Sequence, residues 1–490
     1  MIVLLLFLVP LIGGFLSFFI KNDKAVRGWS LVVSLAALFL SIASNTFLKS
    51  ADQLNYHAQW MGSLGSSFSL KLDGLSQILT LLTAISYPVI FIATWKTDYR
   101  KPNNFFALML LTQAGLIGVF IATDALLFYF FWELALIPVY FLCSGWGHEK
   151  RIPVTFKFFV YTFTASVVML VAILYLYFQT PDHSFSIQSF YALKLSQNTQ
   201  SWLFWLMFIA FAVKMPVFPF HTWQPDTYEQ SPTAATMVLS AIMVKMGLFG
   251  LIRWVWPIFP FAVHAWGDVV MSLAVIGIIY ASLIAIQQDD MKRLIAYSSI
   301  AHMGLMVMAV FSENSTAMNG VMIQMFNHGI NILGLWIVVE LIERQFGTRK
   351  LSQLGGVAQK APALTALLVV VALANVALPL TNGFIGEFLM FNGIWNSLSD
   401  YKVIFTVFAI IAIILSAVYM LRMIQKIFYG NTNTLTETTH DASFNEKAIL
   451  SVLVIVIIVL GVYPQPLLDL GNRFVEVLMK DVNIANVTIR

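Results

Sequence analysis

Runs of about 20 apolar residues recur along the whole chain, and a helix of that length crosses the ~30 Å hydrocarbon core of a membrane. Hydrophobic residues make up 59% of the 490 residues and charged residues only 11%, far below the charged share of soluble domains. We therefore predict an all-α, polytopic membrane protein with 14 transmembrane helices. The candidate spans lie near residues 1–20, 28–47, 74–95, 104–122, 124–146, 155–178, 201–220, 232–254, 265–287, 291–311, 316–342, 361–395, 401–428 and 446–466.

The lysines and arginines of the connecting loops are distributed unequally between the two sides of the membrane. Eighteen of the 28 fall on one side. Because basic loops stay in the cytoplasm, we expect both termini to face the periplasm. The loop from Lys49 to Asp73 is then extracytoplasmic, and its glycines and serines predict a turn or short hairpin. The other side carries Lys49, Lys71, Lys194, Arg253, Lys402, Arg473, Lys480 and Arg490.

Several kinds of site are excluded by composition. The single cysteine, Cys143, can form neither a disulfide within the chain nor a thiolate cluster. No glycine-rich dinucleotide or phosphate fingerprint occurs, and no basic patch interleaved with aromatic residues suggests nucleic acid. We therefore expect no metal and no cofactor in this chain, so that any redox or nucleotide chemistry would belong to a partner.

The predicted seventh span is broken. It carries Lys214 deep in its apolar run and then meets Pro216 and Pro219, which remove backbone donors and clash with the preceding turn. In lipid a broken helix is tolerated only where protein or water satisfies the freed backbone groups. The break with its ammonium group therefore indicates a transport site, and the alternative is a proline kink with a lysine that reaches toward the membrane surface.

A second break lies about 170 residues later, where Pro379, Gly383 and Gly386 interrupt the twelfth span beside Glu387. An offset of five spans gives the two broken helices opposite orientations, which is typical of inverted repeats with sites near the midplane. We predict two inverted five-helix repeats, each with one broken helix. The segments are 1–100 with helices 1–3 and a periplasmic loop, 101–256 with helices 4–8, 261–430 with helices 9–13, and 431–490 with helix 14 and the tail.

Three ionisable residues lie inside the predicted first repeat. Glu133 is near the middle of the fifth span, where a lone charge costs about 2.5–3.5 kcal/mol, and Lys214 is its most plausible partner. Lys245 lies in the middle of the eighth span and has no obvious partner. A static Glu133–Lys214 ion pair that locks two helices is the alternative to a proton-transfer role.

The second repeat carries two histidines and a carboxylate. His302 follows Ser298 by one helical turn, and His328 belongs to a polar stripe on an otherwise apolar helix, which must face protein or water. A single buried histidine is often only structural, but with Glu387 these groups suggest a line of titratable side chains in the membrane plane. The stripe consists of Gln324, Asn327, His328 and Asn331.

Other charged residues are weaker candidates. Asp226, in the loop after the first break, is either a helix cap or a proton entry point. We interpret the Asp289–Arg293 segment, with Lys292, as a solvated loop that orients the tenth span, and Glu340 and Glu343 as partners in a surface salt bridge with Arg344.

Several motifs together resemble the family shared by cation/proton antiporter subunits and the large membrane subunits of respiratory complex I. They are Lys214-Met-Pro, His221-Thr-Trp-Gln-Pro-Asp226, Ser231-Pro-Thr-Ala, Asp290-Met-Lys-Arg-Leu-Ile-Ala-Tyr-Ser-Ser299 and His302-Met-Gly304. The resemblance covers nearly the whole chain. Glu387 stands where related complex I subunits typically carry a lysine, and Tyr228 where the family usually has a histidine.

The resemblance implies a proton-translocating subunit of NADH-quinone oxidoreductase in a bacterial inner membrane, placed beside other antiporter-like subunits of the membrane arm. It implies that electron transfer in partner subunits, which would hold the flavin, iron-sulfur clusters and quinone, drives the translocation. It implies that Glu133 modulates Lys214 electrostatically and that Lys214 and Lys245 store and transfer protons. It further implies that His302 and His328 connect these lysines to Glu387, the terminal exchange site.

Two alternatives remain open. A subunit of a multisubunit sodium/proton antiporter or of a membrane-bound hydrogenase would share the same fold and motifs. The chain could also be a structural spacer within a membrane arm, in which case substitution of Lys214 or Glu133 would leave pumping unchanged.

Overall fold

The computed structural model describes residues 1–47 and 51–482, so Lys49, Arg490 and the end of the fourth predicted segment lie outside the described residues. The described chain is mainly helical, with one small sheet. Its longer helices are α1 (Ile2–Ser17), α2 (Asp23–Phe47), α3 (Gly74–Ala93), α4 (Pro102–Ile121), α5 (Ala125–Trp146), α6 (Arg151–Gln179), α7 (Ile187–Tyr191), α8 (Gln197–Lys214), α9 (Gln224–Gln230), α10 (Thr233–Ile258), α11 (Pro260–Gln287), α12 (Met291–Val310), α13 (Ser315–Phe346), α14 (Pro362–Asn375), α15 (Asn382–Trp395), α16 (Lys402–Phe428), α17 (Phe444–Val462) and α18 (Gln465–Val482).

Eleven helices of the described chain are long and apolar enough to cross a membrane. They are α2 to α6, α10 to α13, α16 and α17. Helices α10 and α13 lie at the centre, because every residue in the most apolar stretch of each is buried by the rest of the protein. A polytopic membrane protein is confirmed, and α10 and α13 hold buried polar groups away from lipid.

Both predicted breaks coincide with helix ends. Helix α8 ends at Lys214, two residues before Pro216, and α9 begins only at Gln224. Helix α14 ends at Asn375 and α15 begins at Asn382, so Pro379 lies in the break, whereas Gly383 and Gly386 lie inside α15 and do not interrupt it. Proline cannot donate the backbone hydrogen bond that continues a helix, which accounts for the first break.

The connection between α2 and α3 contains a β-hairpin. Strand β1 (Asn55–Met61) pairs antiparallel with β2 (Ser66–Lys71), with Tyr56 opposite Leu70. The Asp124 carboxylate accepts hydrogen bonds from Ser66 Oγ and from the Ser67 amide at 2.8 and 2.9 Å. The same carboxylate caps α5 through the Leu126 and Leu127 amides, so one side chain ties the hairpin to the start of that span.

Helix α18 was not predicted from the sequence. It is amphipathic and packs on α3 and α13, with Leu467, Val475 and Leu478 buried. A two-bonded ion pair between Arg253 and Asp73, at 2.6 Å each, lies beside it, and the Phe474 ring of α18 is 5.1 Å from the guanidinium carbon. Helix α18 therefore covers the start of α3 and the end of α10.

The close packing of α13 against α15 gives a test of the fold. A Cβ atom on Gly393 would overlap Ala317 of α13, whereas one on Gly145 of α5 would meet no atom within 4 Å. We expect Gly393→Ala to destabilise the protein by about 1–3 kcal/mol through overpacking, and Gly145→Ala to leave it unchanged or slightly more stable. The thermal midpoint of the solubilised protein would measure this, and equal midpoints for the two variants would contradict the packing described here.

Candidate functional site

Four of the six predicted site residues form one buried cluster at the centre of the molecule. Lys245 lies on α10, His302 on α12, His328 on α13 and Glu387 on α15. Their exposed fractions are 0%, 7%, 2% and 4%, respectively. Buried ionisable groups are expensive in a membrane protein and mark functional sites there.

Lys245 and His328 are in direct contact. Nζ of Lys245 lies 2.8 Å from Nδ1 of His328 and 2.9 Å from the Ser240 carbonyl oxygen, to which it donates. A wider, π-type segment, Leu239–Met243, immediately precedes Lys245 in α10. Such segments are frequent at functional sites, and this one lies where the lysine turns back onto its own helix.

The two histidine rings face each other across a short gap. Their centroids are 5.4 Å apart, with an angle of 58° between the planes. Nε2 of each ring is buried and has no protein partner among the described residues. Because buried polar atoms are nearly always hydrogen-bonded, a water molecule between the rings is the simplest partner for both.

His302 continues the line to Glu387. Its Nδ1 lies 3.3 Å from Oε1 of Glu387, and the Gln324 amide nitrogen lies 3.4 Å from the same oxygen. Lys245, His328, His302 and Glu387 therefore form a row in which each member can accept and release a proton. The row joins residues of four helices, α10, α13, α12 and α15.

The polar stripe of α13 faces the protein interior and holds the second break. Asn327 donates to the Asn382 carbonyl oxygen at 2.7 Å, and Asn331 donates to that of Ala374 at 3.2 Å. These acceptors belong to the two helix ends that flank the break. The stripe thus satisfies backbone groups that the broken helix exposes, which is the condition for a break at membrane depth.

Ser298, one turn before His302, belongs to a second small network. Its hydroxyl lies 3.0 Å from the Tyr419 hydroxyl of α16 and accepts from the Asn375 amide at 3.3 Å. Asn375 is the last residue of α14, so the network connects α12 to the same break. Sequence inspection found Ser298 but not Tyr419, because nothing in the pattern of α16 distinguishes that tyrosine.

Glu133 and Lys214 are not in direct contact. Lys214 is 2% exposed, and its Nζ has no hydrogen-bond partner among the described residues; it lies 5.6 Å from the Trp132 ring and 6.0 Å from the Phe158 ring. Glu133 is only partly buried and accepts a 2.5 Å hydrogen bond from the Ser166 hydroxyl. The two charges lie close enough to interact electrostatically, but the locked ion pair considered above is not formed.

The prediction that Lys292 belongs to a solvated loop is wrong. The residue is 0% exposed, and its Nζ lies 3.0 Å from Oε2 of Glu343. The salt bridges expected for Arg344 are also different, since Arg344 pairs with Glu446 and Glu340 accepts from the Thr97 hydroxyl at 2.6 Å. The charged sequence from Asp289 to Arg293 contains no pattern that indicates burial of Lys292.

Asp226 is held by two cations. It lies 2.9 Å from Lys157 and 3.1 Å from Arg293. Burial pushes the pKa of Asp226 up, but hydrogen bonds from Lys157 and Arg293 outweigh it and hold the pKa below its usual value. Asp226 therefore stays ionised near neutral pH, which favours an anchoring role for it over proton exchange.

Among the described residues, no group of three or more His, Cys, Asp or Glu side chains is arranged to hold a metal ion. Cys143 is buried and accepts a hydrogen bond from Ser231 at 3.1 Å. The row Lys245, His328, His302 and Glu387 offers amine, imidazole and carboxylate groups, which can exchange protons.

Residues 122–416 match a family model described as NADH:quinone oxidoreductase/Mrp antiporter, TM. The chain is 35% identical to NADH-quinone oxidoreductase subunit M of Rickettsia typhi, with 96% of this chain and 97% of that protein covered. It is also 35% identical to F(420)H(2) dehydrogenase subunit M of Methanosarcina mazei, with 95% of each chain covered.

Two solved structures resemble the fold closely. A chain of respiratory complex I from Thermus thermophilus with bound NADH gives a TM-score of 0.89 at 26% identity, covering 98% of this chain and 100% of that one. A chain of the Mrp complex from Dietzia sp. gives 0.85 at 20% identity, covering 97% and 52%. The second likeness concerns the fold alone.

Proposed function

The chain belongs to the family of NADH:quinone oxidoreductase and Mrp antiporter membrane subunits, and on that premise we propose that it is a proton-translocating subunit of NADH-quinone oxidoreductase. The observation that carries the proposal is the row Lys245, His328, His302 and Glu387, buried within the membrane plane. Such a row can pass a proton between the two halves of the chain.

The geometry supports stepwise transfer along the row. Nζ of Lys245 lies 2.8 Å from Nδ1 of His328, and Nδ1 of His302 lies 3.3 Å from Oε1 of Glu387. A water between the two Nε2 atoms would complete the path, because imidazole can accept a proton on one nitrogen and release it from the other. Glu387 then acts as the terminal exchange site, and Gln324 orients its carboxylate.

The first repeat supplies the electrostatic control. Lys214 is an ammonium group that lacks a contact partner in the described chain, so its protonation responds strongly to a nearby charge. Glu133 is the carboxylate within electrostatic range, held by Ser166. In this proposal Lys214 stores a proton and passes it toward Lys245, and Glu133 sets how tightly Lys214 holds it.

We expect Glu133→Gln to lower proton pumping by about fivefold, because the change removes a coupling charge but none of the proton-carrying groups. Ser166→Ala should have a smaller effect in the same direction, since it only frees the carboxylate. Pumping driven by NADH oxidation in vesicles that contain the assembled complex would measure both. Unchanged pumping in Glu133→Gln would favour a spacer role for this repeat.

The proposed arrangement in the membrane has 14 spans. Helix α1, helix α8 and the α14–α15 pair add to the eleven helices named above, with spans 4–8 and 9–13 as two inverted repeats. The segments at 1–100, 101–256, 261–430 and 431–490 and the periplasmic termini follow from this scheme. The second broken element carries Glu387, the last member of the row, and the first carries Lys214, in keeping with sites at the broken helices of inverted repeats.

The energy must come from partner subunits. Moving one charge against ~100 mV costs about 2.3 kcal/mol, and this chain is proposed to hold no flavin, iron-sulfur cluster or quinone of its own. The partners are other membrane-arm subunits, with antiporter-like neighbours on either side. Glu133 is partly exposed at the α5 surface, in a position where a neighbour could change its charge environment.

A second candidate function is that of a subunit in a related complex, which either uses a different electron donor or exchanges ions across the membrane. It is favoured by the 35% identity to the F(420)H(2) dehydrogenase subunit, equal to that of the NADH-quinone oxidoreductase relative. Purification of the chain with its native partners and identification of those partners by mass spectrometry separates the two. NADH-binding subunits support the first function, and a different donor subunit or a set of antiporter subunits supports the second.

A further inference from the structure

A water-accessible cavity of about 630 Å³ opens on the side assigned to the cytoplasm. We call it the vestibule. Helix α9, the first turn of α12 and the loops around residues 148 and 349 enclose it. It is lined by His148, Glu149, Lys150, Val154, Asp226, Glu229, Gln230, Arg293 and Arg349. The cavity is thus polar and has room for many water molecules.

Lys292 lies just behind the inner wall of the vestibule. Its Nζ contacts Glu343 at 3.0 Å, the Ser231 carbonyl oxygen at 3.3 Å and Nε2 of His148 at 3.4 Å. Arg349 also binds Glu343, at 2.6 Å. The Glu343 carboxylate therefore contacts both Lys292 and Arg349.

The basic groups around Glu343 differ in whether they can exchange a proton. Arginine does not release its proton in proteins, so Arg349 is a fixed charge. Burial and then the charge of Lys292 lower the pKa of His148, which is therefore neutral near pH 7 and can accept a hydrogen bond from the lysine. Asp290 faces this group from the loop side and is itself bound by Arg349 at 2.6 Å. Lys292 is left as the group that can pick up and release a proton.

Further buried polar side chains without a hydrogen-bond partner among the described residues lie on α9, next to the vestibule. Gln224 and Tyr228, one turn apart on the inner face of α9, are both 0% exposed. The Tyr228 hydroxyl faces the Gln224 amide, yet neither makes a hydrogen bond of normal geometry within the described chain. The Tyr228 ring packs 5.8 Å from Trp336 of α13, two turns beyond His328 on that helix. Ordered water is the expected partner of such atoms.

Helix α10 joins this region to the proton row. Thr236 and Ser240 follow one another by one turn, both 0% exposed, and the Thr236 hydroxyl lies 3.5 Å from the Tyr228 carbonyl oxygen. The Ser240 carbonyl oxygen accepts from Nζ of Lys245. Hydroxyl groups therefore occur at each turn between the vestibule and Lys245.

We propose that the vestibule is the cytoplasmic proton entrance of this chain, that Lys292 takes up the proton from vestibule water, and that water held by Gln224, Tyr228, Thr236 and Ser240 conducts it to Lys245. This inference rests on the proposed function. The neutral amine of Lys292 gains a proton from water on one side and returns it to water on the other, so no other reactant is needed. Lys292 is a buried proton acceptor in this scheme, and Glu343 and His148 position it.

Substitution of Lys292 in inside-out vesicles tests the proposal, because the cytoplasmic face of the assembled complex then meets the external buffer. We expect Lys292→Met to lower pumping by about tenfold or more. Lys292→Arg should also lower pumping, because arginine keeps the ion pair to Glu343 but does not release its proton. Full recovery in Lys292→Arg would show a structural clamp and overturn the proposal.

A second substitution keeps the test decisive if Lys292 variants do not assemble. Tyr228→Phe removes only a hydroxyl from the route and keeps the ring against Trp336, and we expect pumping to fall by about fivefold or more. Tyr161→Phe is the matched control, because its hydroxyl bonds Thr222 outside the route. Normal pumping in Tyr228→Phe overturns the proposed route, whereas pumping that survives Lys245→Met would contradict the proposed function itself.

Discussion

A complex in which Lys245 is replaced by methionine is expected to lose proton pumping almost completely. Methionine fills a similar volume but carries no proton, and His328 then has no donor at 2.8 Å. Loss of a positioned proton-transfer group lowers a rate by about 10²–10⁴-fold, so the deficit should far exceed that of Glu133→Gln. Lys245→Arg should not restore pumping, because arginine holds its proton.

The measurement is NADH-driven acidification of inside-out vesicles, normalised to the amount of assembled complex. Lys402→Met is the matched control, since Lys402 is exposed at the start of α16 and contacts none of the proton row. Normal acidification in Lys245→Met would show that Lys245 does not carry protons and that His328 does not receive its proton from this lysine.

Replacement of Glu387 by glutamine is expected to have the second largest effect. The amide preserves the size of the side chain and its contacts to His302 and Gln324, but it cannot exchange a proton with His302. Pumping should fall by about 10²-fold, because the proton row then has no exit. Assembly should be unaffected, since the polar contacts of a buried pair are retained.

Proton counting in proteoliposomes that contain the purified complex would measure this loss, with the ratio of protons moved to NADH oxidised as the readout. Glu437→Gln is the control, because Glu437 is an exposed carboxylate outside the spans. Electron transfer that continues with an undiminished ratio in Glu387→Gln would show that protons leave the row elsewhere.

Much of this arrangement could be predicted from residue patterns. Apolar run length predicted the long helices, and proline placement predicted both breaks near Lys214 and Glu387. The stripe from Gln324 to Asn331 indicated which face of α13 is buried, since four polar side chains on one side of an apolar helix cannot face lipid. The structure places Lys245, His328, His302 and Glu387 in one row, a set that the sequence had suggested only by their order.

Other features depend on packing that no local pattern encodes. Lys214 lies beside the aromatic rings of Trp132 and Phe158 and does not contact Glu133, and sequence spacing carries no information about this packing. Lys292 is buried in the first turn of α12, where its ammonium group contacts Glu343 of α13 and the Ser231 carbonyl oxygen after α9, and the charged sequence around it does not indicate this packing. Helix α18 escaped prediction because an amphipathic surface helix does not meet a hydropathy criterion meant for spans.

The central claim is that buried lysine, histidine and glutamate side chains form one hydrated path through the middle of the chain. High-resolution electron cryo-microscopy of the assembled complex tests it most directly, because the gap between the imidazole rings of His302 and His328 can then be inspected for solvent. The account predicts an ordered water within hydrogen-bond distance of Nε2 on both rings. A dry gap closed by apolar side chains, with the two rings turned away from each other, would contradict it.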